Sequence, residues 1–255
     1  MACIYLTFDV EEWRIPEHNG LKHPLNANTE FSRKGTLRLL RLLSKHGIKA
    51  TFFVTGYFAE REPLLIRKIV DEGHEIASHS YTDINHHELN NKEIRGHIQK
   101  ATRIIQKITG KKPIGFRTPQ FSINDSVLKE LVAQGYAYDS SIHPAIIPRY
   151  KQKPKKIQNI KEIPLSIMPL LKLPISWIWM RNIGIWWTKL GVWLNLKLGS
   201  NVVLYFHPWE FVQLPEIKGA SVYITRNCGE KFFRQLEKLI IAFKKHEFEM
   251  MKDLK

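Results

Sequence analysis

Short apolar runs alternate with longer amphipathic stretches along most of the chain, and this alternation restricts the fold more than any other feature. Ile4-Tyr5-Leu6-Thr7-Phe8-Asp9-Val10-Glu11 reads as a strand. Asn28 or Thr29 can then cap a helix running to Lys45, with Gly47 as its stop. Thr51 to Val54 is a second strand, Pro63 opens a helix ending near Gly73, and His74 to Ser78 is a third strand. Asn90 followed by Glu93 predicts a capping box for a helix through Lys107. Ile114-Gly115-Phe116 is a short strand, and Asn124 caps a helix that stops at Gly135. Val202 to Phe206 is a late buried strand, Cys228 to Lys245 an amphipathic helix, and Glu247 to Met250 a last strand. Strands separated by helices pair in parallel, which predicts an α/β fold in one continuous domain over residues 1–255, a barrel or a distorted one.

In such folds the reactive groups sit where strands end. Strand side chains alternate faces, so Thr7, Asp9 and Glu11 point one way and Glu12 the other. Two carboxylates on one face of a buried strand are costly unless a metal, a cation or a reaction uses them. The third strand delivers His79, with Asp83, His86 and His87 behind it. The strand at Ile114 delivers Arg117-Thr118-Pro119, and the late strand delivers His207-Pro208-Trp209-Glu210. Carboxylates, histidines and an arginine at one barrel end describe a metal-assisted or acid–base hydrolase site.

Composition sets limits. A chain of 255 residues with 44% hydrophobic and 25% charged residues is globular. Cys3 and Cys228 have no paired spacing, so neither a disulfide framework nor a thiolate metal site is expected. The net charge of +15 is uneven: residues 149–200 carry ten Lys or Arg, the one acid Glu162, and five of the seven tryptophans. Pro174, Gly184 and Gly191 argue against one long helix there, so a loop-and-short-helix excursion is expected, with Lys151 to Lys156 as an exposed loop. Basic and aromatic residues together suit an anionic, partly apolar partner such as a membrane surface. No nucleic-acid motif accompanies them, and no nucleic-acid partner is expected. The reading is of a cytoplasmic protein, peripheral on the inner face of the membrane.

The segments Thr7-Phe8-Asp9-Val10-Glu11, Ser78-His79-Ser80-Tyr81, Phe116-Arg117-Thr118-Pro119, Tyr138-Asp139-Ser140-Ser141 and Tyr205-Phe206-His207-Pro208-Trp209-Glu210 resemble, in order, the motifs of the polysaccharide deacetylase family, also called NodB-homology or carbohydrate esterase family 4. The resemblance implies a distorted, seven-stranded (β/α) barrel that removes N-acetyl groups from amino sugars with one divalent metal, zinc foremost. It implies Asp9 as general base, Arg117 as the arginine that orients and charge-pairs it, and His207 as general acid. Glu11 and His79 fall on metal-ligand positions, and Pro119, Trp209 and Tyr81 on substrate-binding ones. The usual His-x-x-x-His departs here to His79-Ser80-Tyr81-Thr82-Asp83. Asp83 ligates directly; or His86 supplies the imidazole, since 79, 83 and 86 share a face if helical; or the metal site is weakened and the chain only binds sugar. The implied substrate is an N-acetylated sugar or glycolipid, a lipid-linked sugar suiting the basic excursion. A deformylase or small-amide amidase of the same fold, or a non-catalytic module for carbohydrate or anionic surfaces, are the alternatives.

Overall fold

In the computed structural model, which describes residues 2–18, 20, 29–146, 153–215 and 222–254, β1 (Ile4–Val10) is buried at every position. A strand buried on both faces needs partners on both edges. β2 (Thr51–Val54) and β8 (Val202–Phe206) supply them in parallel, placing Phe52 and Phe206 either side of Phe8. β3 (Glu75–Ser78), β4 (Gly115–Phe116), β5 (Tyr138–Asp139), β6 (Lys155–Ile157) and β7 (Ile160–Glu162) complete an eight-stranded sheet, ordered β6-β7-β5-β4-β3-β2-β1-β8.

Seven of these strands are parallel, as expected; the eighth, β6, is an antiparallel addition to β7. It occupies part of the stretch read as a loop, because Ile157 pairs with Ile160 across a tight turn. Lys151, Arg149 and Asn28 lie outside the described residues. The sheet curls so that the segment beyond β7 reaches β8. Beyond β7, the Ser166 amide donates to the Val203 carbonyl at 3.0 Å, and the Val203 amide donates to Ser166 Oγ at 2.9 Å. The expected last strand is a single bridge between Phe248 and Ile4.

Strand alternation separates two cores. Leu6, Phe8, Val10, Phe52, Leu204 and Phe206 face outward to the helices, whereas Tyr5, Phe53, Ala77, Tyr138, Val203 and Tyr205 face the concave interior. Thr7 and Asp9 share the interior face with Tyr5. Burying one large apolar side chain contributes about 1.5–3 kcal/mol, so a one-residue slip of β1 would forfeit several such terms.

The helices are α1 (Ile15–His18), α2 (Glu30–His46), α3 (Gly56–Arg61), α4 (Pro63–Asp71), α5 (Asn91–Thr109), α6 (Asp125–Ala133), α7 (Ile178–Ile183), α8 (Ile185–Lys197), α9 (Val222–Thr225) and α10 (Glu230–Ala242). The Asn90–Glu93 capping box forms as expected, and Asn124 caps α6. α3 was not expected; Thr55 caps it by accepting from the Phe58 amide at 3.2 Å. Gly184 separates α7 from α8, but α8 runs straight through Gly191. That glycine faces Ile175, where a Cβ would lie 2.6 Å from Ile175 Cγ2, so its missing side chain sets close packing, not a break.

Candidate active site

Thr7, Asp9 and Glu11 emerge on one side of β1 and its end, as alternation requires. Arg117, fully buried beyond β4, donates from Nη1 to Asp9 Oδ1 at 2.7 Å and to Thr7 Oγ1 at 2.9 Å. Its other nitrogens are held by Ser140: Nε donates to the carbonyl at 3.0 Å and Nη2 to the hydroxyl at 3.0 Å. The guanidinium lies over the Phe53 ring at 4.1 Å. The Tyr138-Asp139-Ser140-Ser141 segment thus fixes the arginine, and Ser141 Oγ accepts the Thr118 amide at 2.8 Å. A buried, fully bonded arginine with one carboxylate partner gives Asp9 a fixed position.

Glu11, His79 and Asp83, all buried, bring their ligand atoms within 4.8 Å of one another. His79 Nδ1 lies 2.8 Å from the Arg117 carbonyl, which fixes the ring and turns Nε2 toward Glu11 Oε2, 3.4 Å away. This is how a ligating histidine is usually oriented. Burial, then Glu11 and Glu12, push the Asp83 carboxyl well above its ordinary range, with Arg14 opposing. Crowded buried carboxylates beside the His79 Nε2 fit a divalent cation, with two oxygens and one nitrogen as donors. Glu12 points away, as expected; it accepts the Asp83 amide at 3.0 Å and the Thr55 hydroxyl at 2.9 Å, so it supports the loop.

His86 does not join this group. It is fully buried with Nε2 bonded to Ser80 Oγ at 2.8 Å, and its ring packs on Phe116. Burial, then neighbouring imidazoles, pull its pKa down to about 3. The segment from 79 to 86 is not helical: Ser80 takes a left-handed φ of 62°, and only His86–Glu88 forms a helical turn. The shared-face premise for His86 therefore fails, and it is Asp83 that lies beside Glu11 and His79.

His207, just beyond β8, lies with Nε2 3.7 Å from Glu11 Oε1. Its backbone amide donates to Glu210 Oε2 at 2.9 Å, and its Nδ1 is 3.4 Å from the same oxygen. Burial pulls its pKa down, but Glu11, Glu210 and Asp9 together outweigh burial and leave it raised. Glu210 is in turn paired with Arg181 of α7 at 2.7 Å, both fully buried. Trp209 stacks on His207 with ring centres 5.0 Å apart, and its Nε1 is 3.4 Å from Glu11 Oε1.

Asp9, Glu11, His79, Asp83, His207 and Trp209 share a cavity of about 240 Å³. Gln120, Phe121, Trp177 and Tyr205 form much of its remaining wall. Gln120, Phe121 and Trp177 have φ of 53°, 54° and 53°, conformations costly for side-chain-bearing residues that gather at functional sites. Two residues expected at substrate-binding positions do not line the cavity. Tyr81 lies outside the cavity, its hydroxyl toward Glu60 and its ring under Lys100, because the turn at Ser80 aims it at the helices. Pro119 is buried behind the wall, where its carbonyl accepts the Ser122 hydroxyl, and its neighbours Thr118 and Gln120 face the cavity instead.

Residues 2–138 match the family model described as Polysaccharide deacetylase. The chain belongs to the polysaccharide deacetylase family. Residues 140–255 match a second model, described as a domain of unknown function (DUF3473). The peptidoglycan-N-acetylmuramic acid deacetylase PdaA of Bacillus subtilis is 34% identical over 137 residues, which is 52% of this chain and 44% of that one. The chain thus spans under half the length of that curated relative. Among solved structures, the Puue allantoinase superposes with a TM-score of 0.72 at 18% identity, covering 98% of this chain and 87% of that one. A CE4 family pseudoenzyme from Bacillus anthracis gives 0.61 at 19%, covering 99% and 64%. Both likenesses speak for the fold, the (β/α) barrel type of this family.

Arg181 of this polysaccharide deacetylase family member was not foreseen as a site residue, whereas Trp177 belongs to the tryptophan-rich excursion that the sequence also allowed as a wall beside the site. Both lie in the DUF3473 half, about thirty positions before His207, and nothing in its local pattern marks Arg181. The one available signal for Glu210 was its place three residues after His207.

Proposed function

We propose that the protein is a metal-dependent amide hydrolase that removes the N-acetyl group from an amino sugar. The observation that carries this reading is that Asp9 with its arginine, and His207 with its glutamate, stand beside the Glu11–His79–Asp83 group in one cavity. Glu11, His79 and Asp83 would hold the cation, zinc foremost, although an oxygen-rich set also admits other divalent metals. When bound, such a cation supplies Lewis acidity, polarising a carbonyl oxygen and acidifying water. Asp9 accepts the proton of the water that attacks the acetyl carbon. The C–N bond breaks as His207 donates a proton to the departing nitrogen, leaving acetate and a free amine. Glu210 keeps the imidazole in place and favours its protonated form, which suits an acid. Trp177, half-buried in the cavity wall, offers an apolar ring against which a sugar can lie, with Tyr205 and Trp209 packed behind it and beside His207. A lipid-linked amino sugar at the inner membrane face is the finer substrate class within this proposal.

Elemental analysis of purified protein and its variants, together with acetate release from N-acetylated oligosaccharides, tests the reading. His79→Ala and Asp83→Asn should lose the bound metal, and His86→Asn should keep it. Formate release from N-formyl sugars, or ring opening of a cyclic amide without acetate release, would move the assignment to a deformylase or amidase. Saturable sugar binding without turnover in metal-loaded protein would make it a binding module.

A further inference from the structure

α8 is apolar on all sides, yet only one side of it is covered. Trp187, Thr188, Gly191, Val192 and Asn195 face inward, where Trp187 Nε1 donates to the Pro174 carbonyl at 2.8 Å and Asn195 Nδ2 to the Ile167 carbonyl at 3.0 Å. On the other side Trp186, Leu190 and Trp193 are 59%, 41% and 50% exposed. Their spacing of four and three residues lines them along one stripe. Tryptophan is large enough that such a stripe is rarely left to water without a use.

The surroundings of the stripe are basic. α8 contributes Lys189 and Lys197, the latter 6.0 Å above the Trp193 ring. Along its edge, Ile185 shares a surface cavity with Lys231, Arg234 and Lys238 of α10. The acid there, Glu230, is engaged by Arg38 and Arg234. Between residues 163 and 200 the sequence has no Asp or Glu. Among the described residues no helix is long and apolar enough to cross a membrane; α8, at thirteen residues, rises only about 20 Å. A net charge of +15 opposes pairing of this face with a second copy and favours an anionic partner.

We propose that the Trp186–Leu190–Trp193 face of α8, flanked by the lysines of α8 and α10, is a docking surface that seats the protein on an anionic lipid bilayer. The helix lies in the plane of the interface with its tryptophans at headgroup depth, while the lysines meet lipid phosphates. The surface is narrower than the sequence suggested: Trp187 is buried, and Trp177 belongs to the cavity wall. It stands independently of the hydrolase reading, because its test measures no turnover.

The test is co-sedimentation of the full chain with phosphatidylcholine vesicles, with and without phosphatidylglycerol, across a salt series. Wild-type protein should partition onto the phosphatidylglycerol vesicles, weakly onto neutral ones, and less as salt rises. Trp186→Ser with Trp193→Ser should lower partitioning by about tenfold, and Lys231→Glu with Lys238→Glu should lower it and flatten the salt dependence. All four positions are exposed or half exposed, and unchanged circular dichroism would establish that the variants fold. Absence of binding to anionic vesicles at low salt overturns the proposal. So does equal binding by the double tryptophan variant, and so does a wild-type dimer that this variant disperses, which would assign the face to a second copy.

Discussion

At the scale of single residues, the two proton-transfer partners we propose, Asp9 and His207, can be separated from the fold that holds them. Asp9→Asn keeps an oxygen for Arg117 but removes the proton acceptor, and His207→Ala removes the donor at the edge of the cavity. Each is expected to lower acetate release by about a hundredfold to ten-thousandfold while leaving the circular dichroism spectrum unchanged. Wild-type turnover in either variant would remove that residue from the mechanism. Arg181 behaves differently. Arg181→Met leaves Glu210 buried without its cation, and breaking such a pair typically costs about 3–5 kcal/mol. A urea titration should therefore show it as a stability defect before an activity defect. Asp9, Glu11, Arg117 and His207 were legible in the sequence because each lies in the last two positions of a strand or directly after one. Arg181 was not, since its links to the site, the Glu210 carboxylate and the Trp209 ring, lie 29 and 28 residues away and are made only by folding.

At the scale of elements, α2 and the 3-10 turn Pro208–Phe211 show how a helix fixes a catalytic group without touching it. Gly35 sits mid-helix, where a Cβ would stand 1.8 Å from the Pro208 carbonyl oxygen. Gly35→Ala must push α2 and the turn apart, and His207 immediately precedes that turn. We expect a loss of about 1–3 kcal/mol from overpacking and a fall in kcat of about a hundredfold from a displacement near 1 Å, read by thermal melting and initial rates. A melting temperature and kcat both equal to wild type would show that the contact is not needed. The longer elements were legible from their periodicity and caps, α5 with its Asn90–Glu93 box above all. β5 and β6 were not, because two or three residues give no period to read. Such strands exist by virtue of their neighbours: Tyr138 pairs with Gly115 on one side and Lys161 on the other.

At the scale of the whole molecule, the sheet passes through both matched halves, and we propose that residues 1–255 unfold as one unit. Circular dichroism and tryptophan fluorescence should report coincident urea transitions, and two separated transitions would refute this. Stability should also carry a histidine signature. Burial, then Arg117, push the His143 imidazole down to about 4, against about 6.5 in an unfolded chain. A depressed pKa means the unfolded chain binds the extra proton, so this stabilisation is complete above about pH 6.5 and is lost as pH falls toward 4. The raised pKa values of buried Asp139 and Glu162 act in the opposite sense, so the diagnostic quantity is a difference between two proteins. Relative to wild type, His143→Gln should gain about 2 kcal/mol between pH 7 and pH 5. An unchanged difference would mean that folding does not lower the His143 pKa. The closing of the sheet has an evolutionary reading as well. The half before residue 139 carries Asp9, Arg117, the Glu11–His79–Asp83 group and Phe121 of the wall, whereas the half after it carries His207, Glu210 and the wall residues Trp177, Tyr205 and Trp209. Neither half is a working site, yet each holds a separable set of duties. Lineages could exchange the second half to change which sugar is admitted while inheriting the first intact, so specificity and bond-breaking can drift at different speeds along one chain.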